Sequence, residues 1–332
     1  MDTIKLAELH RGPLVESVHR GAFAVVDAEE KVIASGGNVN YLTYMRSAAK
    51  PMQALPVVES GAADYFGLTE EEIAVLTSSH SGEEIHRRLV SSILNKIGLK
   101  QEMLQCGTHR PLHNDTAKEL LIKGVSPDAL HCSCSGKHSG MLLLCKYNSW
   151  DMTDYHQPHH PVQQLMIKTL AEISNEDKKN IVVGIDGCGV PVFGLSLYSM
   201  ALAYARFAKS NSLPDRSFPI TRIIQSMIKY PQAVAGTGRF ATDLMQAAPG
   251  RLFAKDGAEG VFCLGIPDKG WGLAVKIENG NMKAIEPVIV SILEQLNILE
   301  KEELEKLTPY RFPKIRNFRK EIIGELQPVF KI

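Results

Sequence analysis

The chain has 332 residues, 44% of them apolar, which is enough to bury a large core and excludes intrinsic disorder. Lys plus Arg and Asp plus Glu stand at 37 each, so there is no electrostatic footprint for nucleic acid or for an anionic membrane surface. The balance suits a small, near-neutral ligand. The opening segment MDTIKLAELHRGPL has no apolar stretch long enough for a signal sequence, and no later run approaches the roughly 20 residues of a membrane span, so a cytoplasmic location is expected.

In chain order, Val15 to Ser35 reads as two β-branched runs joined by the polar turn DAEE, predicting an antiparallel hairpin. From Arg46 to Val58 the apolar spacing becomes helical, and Pro51 confines Ser47 and Lys50 to the first turn or beside it. The stretch EEIAVLTSS reads as a short helical lead into a strand, and GEEIHRRLVSSILNKIG as an amphipathic helix. Between them lies Ser78-Ser79-His80-Ser81-Gly82. The middle of the chain is mainly helical in pattern, over Ser139 to Lys146, Val162 to Ile173, Leu195 to Ala208 and Phe218 to Met227. RLFAKDG, GVFCLGI and WGLAVKIENG then predict an antiparallel meander, and the last thirty or so residues a helix plus a tail.

Sheet at both chain ends with a helical middle predicts an α+β fold rather than a doubly wound parallel sheet. No linker interrupts it, so one domain over 1–332 is expected, with sheet elements at about 13–36 and 250–285 and a helical part at about 45–245. Neither a GxGxxG nor a GxxxxGK[ST] motif opens a helix after a strand, which removes the dinucleotide and phosphate-loop readings.

Chemistry concentrates in three places. In Ser47-Ala48-Ala49-Lys50, the lysine amine can reach the serine hydroxyl across one helical step and, when neutral, take its proton. Ser226 to Lys229 repeats that spacing on an ordinary helix face, so position at a helix mouth singles out the first copy. Ser79-His80-Ser81 is expected to follow a strand and precede a helix. Lys255-Asp256-Gly257 closes a strand, with the glycine leaving space beside the lysine. The order SxxK, serine loop, lysine-x-glycine is that of serine β-lactamases and penicillin-binding proteins.

The third place is the cysteine-rich pair of segments Cys132-Ser133-Cys134-Ser135-Gly136-Lys137-His138 and Ile185-Asp186-Gly187-Cys188-Gly189. Six cysteines are too sparse for a disulfide scaffold and are expected reduced. Cys145 and Cys263 lie in apolar runs and read as inert buried thiols. Two thiols among Cys132, Cys134 and Cys188 could ligate zinc in an open site, or all could stand unligated in a polar pocket; the spacing leaves both open. His156, His159 and His160, interleaved with prolines, read as the start of a helix.

The segments RSAAKPMQALP, SSHSGE, CSGKHSGML, HPVQ, DGCGVPVFGL and AKDGAEGV, in that order over nearly the whole chain, resemble the rhizobial-type L-asparaginases, a family distinct from the threonine-nucleophile asparaginases. The resemblance implies a fold similar to serine β-lactamases and class A glutaminases. It implies hydrolysis of L-asparagine to L-aspartate and ammonia, with Ser47 as nucleophile, Lys50 as its base, and Ser79 with Lys255 as a second serine–lysine pair. It further implies a zinc ion held by Cys134, Lys137 and Cys188, substrate contacts from Arg46, His80, His138 and Asp186, and a homodimer. Cys132 falls outside the matched motif and reads as an ordinary thiol. Two rivals remain: a β-lactamase or penicillin-binding-like hydrolase, disfavoured by the cytoplasmic expectation, and a non-catalytic zinc or thiol sensor, which leaves Ser47, Ser79 and Lys255 unexplained.

Overall fold

A computed structural model describes residues 3–332. Its strands, in chain order, are β1 (Ile4–Arg11), β2 (Leu14–Asp27), β3 (Val32–Gly36), β4 (Leu42–Tyr44), β5 (Val182–Ile185), β6 (Pro191–Ser196), β7 (Phe253–Gly257), β8 (Val261–Ile266), β9 (Trp271–Ile277), β10 (Lys314–Arg316) and β11 (Ile322–Pro328). The chain falls into two compact units, one of residues 1–48, 195–209 and 243–332, the other of residues 49–194 and 210–242. Among the described residues no helix is long and apolar enough to cross a membrane.

The first unit is built on an antiparallel sheet in the order β10-β11-β1-β2-β9-β8-β7, with β3 paired to β2. Strand β8 is buried throughout and β9 nearly so, which departs from the alternation of a sheet with one wet face. The reason is that both faces are covered: helix Leu197–Ala208 packs on β2, β8 and β9, and helix Met282–Gln295 on β1, β8, β9 and β11. The predicted hairpin is present as β2 and β3, and the predicted meander as β7 to β9.

Two expectations for this unit are corrected. Sheet begins earlier than Val15, because Ile4–Arg11 pairs along β2. The final residues hold more than a helix and tail: Ile322–Pro328 pairs with β1 through Ala7 to Pro328 and Arg11 to Gly324. A charged terminal segment becomes a strand when β1 offers it an open edge, which local pattern does not reveal.

The second unit is largely helical. Helix Ser135–Tyr147 is buried continuously from Ser135 to Cys145 and packs against helices Lys50–Glu59, Glu70–Leu76, Glu84–Lys96 and Pro161–Ser174. An all-round apolar run such as GMLLLC suits a helix enclosed by others. Gly136 permits that enclosure, since a Cβ there would overlap the carbonyl oxygen of Val75. Its role is therefore to permit close helix approach. His160 caps helix Pro161–Ser174 by accepting from the Val162 amide, in agreement with the helix-start reading.

Two features of the second unit differ from expectation. The middle of the chain contains a β-hairpin, β5 with β6. The run after EEIAVL forms no strand: helix Glu70–Leu76, closed by a Thr69/Glu72 capping box, gives way to a non-helical segment that leads into helix Glu84–Lys96. Buried Ser78 to Gly82 find their backbone partners singly, as in Ser79 N to Val234 O and His80 N to Ser133 O, instead of in a ladder.

Candidate active site

The turn Arg46–Ala49 is a 3-10 helix that runs directly into helix Lys50–Glu59, with Pro51 in its first turn where a missing N–H costs nothing. Arg46 takes a left-handed backbone, φ 52°. Both the Ser47 position and the first-turn position of Lys50 are thus set by this junction.

Lys50 is 1% exposed, and its Nζ donates to Ser78 O (2.5 Å), Ser79 Oγ (3.0 Å), Ser133 O (3.4 Å) and Cys134 Sγ (3.3 Å). Four acceptors from two segments hold the amine in place. Two of these acceptors, Ser79 and Cys134, are side chains singled out from sequence, and they come from segments 28 or more positions away.

His80 is fully buried. Its Nδ1 accepts from the Gly82 amide at 3.1 Å, so Nε2 carries the proton and donates to Ser135 Oγ at 2.8 Å. Its ring stacks on His86 with centroids 4.8 Å apart. Burial first, and His86 next, hold its pKa well below the usual histidine value, so it is neutral.

Lys137 and Cys188 meet at 3.2 Å, Nζ to Sγ, and Cys188 is hydrogen-bonded to Cys134. Cys134 precedes helix Ser135–Tyr147, one helical step from Lys137, while Cys188 comes from the β5–β6 turn. In that turn Asp186 N donates to Val190 O, and Asp186 Oδ1 accepts from Gly187 N. Gly189 closes it at φ 85°. The Cys134 thiol is held well below its ordinary value, first by the hydrogen bond from Cys132, then by Cys188, and by Lys50 and Lys137, against burial. Burial works against the Lys137 ammonium, but Cys188, Cys134 and Asp186 outweigh it and raise its pKa.

Cys132 is therefore more than an ordinary thiol. It is hydrogen-bonded to Cys134 and to Cys106, and both contacts push its own proton on more firmly. Cys145 and Cys263 are buried as expected, and burial lifts Cys145 to about 12.

His138, the neighbour of Lys137, is fully buried. Its Nδ1 lies 2.7 Å from Tyr155 Oη, which accepts from the Gln105 amide at 2.8 Å. The tyrosine hydroxyl then donates to Nδ1, and the Nε2–H of His138 is left with no protein partner.

Lys255 lies in the first unit, within β7. It is 0% exposed, and its Nζ donates to Asp256 O and Oδ1, both at 2.7 Å. Gly257 leaves room for the Met45–Arg46 backbone: a Cβ there would stand 2.8 Å from Met45 O and 3.3 Å from Arg46 Cβ. Tyr204 Oη donates to Ala48 O at 2.8 Å in the same unit. That unit thus carries Arg46, Ser47 and Lys255, and the other carries Lys50, Ser79, His80, Cys134, Lys137, His138, Asp186 and Cys188.

The second SxxK copy is structural. Ser226 Oγ donates to Glu70 at 2.7 Å from the face of helix Ser217–Lys229.

Residues 7–328 match the L-asparaginase II family. A match over nearly the whole length makes the chain an amidohydrolase acting on a small-molecule substrate. It belongs to the L-asparaginase II family. No curated protein matches the chain. Among solved structures it is similar to a β-lactamase from Mycobacterium bovis, at 10% identity and TM-score 0.41, covering 83% of this chain and 94% of that one. It is also similar to a protein named Mglu, at 14% identity and TM-score 0.37, covering 84% of this chain and 67% of that one. The family assignment rests on the 7–328 match alone.

Proposed function

We propose that the chain hydrolyses the side-chain amide of L-asparagine through a serine acyl-enzyme. The observation that carries this reading, given the family, is the buried contact of Lys50 Nζ with Ser79 Oγ. A buried amine against a serine hydroxyl is the arrangement that activates an oxygen nucleophile without histidine. In the proposed sequence Ser47 attacks the amide carbon, neutral Lys50 takes the hydroxyl proton and delivers it to the leaving ammonia, and water then cleaves the aspartyl ester. Ser79, fixed by Lys50, passes the proton along, and Lys255 belongs to the same chemistry by resemblance. A second reading makes Ser79 the acylated residue, which the 3.0 Å contact favours.

The donor set at Cys134, Lys137 and Cys188 fits zinc: two thiols and an amine drawn together, with the unpartnered His138 Nε2–H next in sequence. Because that nitrogen bears a proton, it serves as a donor and not as a ligand. Among the described residues no three His, Cys, Asp or Glu side chains gather as a metal cluster, so the proposed site depends on lysine as its third ligand. Zinc bound there would supply a positive charge that orients a polar end of the substrate.

The test is ammonia release from L-asparagine and L-glutamine, with and without a zinc chelator, followed by intact-mass analysis of Ser47→Ala and Ser79→Ala under substrate. An aspartyl adduct that survives in Ser79→Ala and vanishes in Ser47→Ala supports Ser47. No ammonia from either amide removes the proposal, and acylation by a labelled β-lactam in its place would install the β-lactamase-like rival.

A further inference from the structure

Residues 105–113 carry none of the motifs read from the sequence and form no helix or strand, yet they border the site at both ends. Gln105 N donates to Tyr155 Oη at 2.8 Å, and Cys106 O accepts from Cys132 Sγ at 3.4 Å. At the other end His113 N donates to Ser81 O at 2.9 Å. His109 sits half-buried between these fixed points.

Its ring has one defined tautomer. Ser133 N donates to His109 Nε2 at 2.9 Å, so that nitrogen bears no proton. Nδ1 carries the proton instead and donates to Arg110 O at 2.8 Å. Ser133 Oγ stands 3.1 Å from the same Nε2. Both ring nitrogens are therefore engaged within the protein, which separates His109 from His138 with its unpartnered Nε2.

Ser133 carries the contact onward to the chemistry. Its carbonyl accepts from His80 N at 3.2 Å and from Lys50 Nζ at 3.4 Å. The next residue, Cys134, places its Sγ 3.3 Å from the same Nζ. Because the peptide between them is planar, the Ser133 carbonyl and the Cys134 backbone move together. A serine tied to His109 at its amide thus brings two of the four acceptors that hold Lys50. All of these residues belong to one compact unit.

We propose that His109 is a positioning residue for the Lys50 amine, acting through Ser133. The inference rests on the serine–lysine reading of amide hydrolysis and names a group that sets where the amine stands. A base works only within hydrogen-bond reach of the proton it takes, and a misplacement of about 1 Å can cost on the order of 100-fold in rate. Neutral imidazole suits this place, since it accepts from the Ser133 amide on one side and donates to the Arg110 carbonyl on the other.

The experiment compares ammonia release from L-asparagine by the wild type, His109→Asn and His109→Gln. The asparagine amide reaches as far as Nδ1, so it keeps a donor for Arg110 O and loses the acceptor for Ser133 N. The glutamine amide reaches as far as Nε2 and does the reverse. His109→Asn is expected to lose about 10- to 100-fold in kcat, with KM within about threefold of the wild type, and His109→Gln to recover most of that loss. Nitrogen NMR of the wild-type histidine rings, with His109 assigned by its disappearance in His109→Gln, should show the Nδ1–H tautomer. An Nε2–H tautomer overturns the inference, as does an unchanged kcat in His109→Asn or a loss carried by KM. Equal losses in the two variants also overturn it, because His109 would then serve the fold alone. A wild type that releases no ammonia from L-asparagine or L-glutamine removes the hydrolase reading and this inference with it, whereas an active wild type with an active His109→Asn removes the inference alone.

Discussion

The Lys50 amine and the Ser79 hydroxyl are 3.0 Å apart in a position closed to solvent, brought together from a helix and a loop that sequence keeps 29 residues apart. Lys50→Met should therefore lower kcat by about 100- to 10,000-fold, the range for removing a positioned acid–base group. The change leaves the carbonyls of Ser78 and Ser133 without this donor, so a loss of about 1–3 kcal/mol in stability should accompany it. Ammonia release per folded molecule, with folding checked by circular dichroism, decides the matter; activity above a tenth of wild type would remove Lys50 from the chemistry.

Tyr204 supports the residue next to Ser47. Its hydroxyl donates to Ala48 O at 2.8 Å, and its ring stacks on Phe253 at 5.6 Å between centroids. Tyr204→Phe keeps the stack but deprives a carbonyl of its partner, and an expected cost of about 1–2 kcal/mol follows. Urea denaturation measures it. An unchanged midpoint would mean that Ala48 O finds another donor.

Burial pushes the Glu286 carboxyl up to about 7 from 4.5. Between those values the folded chain holds a proton that the unfolded chain has released, so this group makes stability fall as pH rises through that window. Partial exposure reduces the effect to about 1–3 kcal/mol. Glu286→Gln should accordingly gain stability on the wild type at pH 8 and match it near pH 4.5. Paired urea midpoints at the two pH values test this, and a difference of the opposite sign would refute it.

If zinc occupies the Cys134, Lys137 and Cys188 donors, Cys188→Ser should reduce the metal content of purified protein well below that of wild type, as read by elemental analysis. Loading requires a neutral lysine and two thiolates, whereas Lys137 without metal is held protonated by its thiol neighbours. Zinc binding should thus release about two protons, and its apparent affinity should climb with pH. Calorimetry in buffers of different ionisation enthalpy counts them; no proton release would exclude this ligand set.

Much of the fold was legible because local pattern and final environment agreed. The β7 to β9 runs read as a meander, and the helix around Leu142 read as helix, since their apolar content suits burial wherever it occurs. Pro51 placed Lys50 in a first turn without any knowledge of the rest. Strand β11 was missed because its pairing depends on β1, more than 300 positions away. Cys132 was passed over for the same reason. Its significance comes from Cys134, and no spacing rule reaches a neighbour that exists only after folding.

The sequence by itself determined the inventory: an α+β chain without net charge, SxxK at a helix mouth, a serine loop, a lysine on a strand, and thiols among glycines, in an order that resembles one hydrolase family. These are properties of short segments, and short-range sterics and periodicity suffice to read them. Only the tertiary structure decided which atoms meet. It gave Lys50 to Ser79 and Cys134, joined Lys137 to Cys188, enclosed His80, and set the Val234 carbonyl against the Ser79 amide. Hydrogen bonds and buried charges act over a few ångströms, and it is the packing of distant segments that sets those distances.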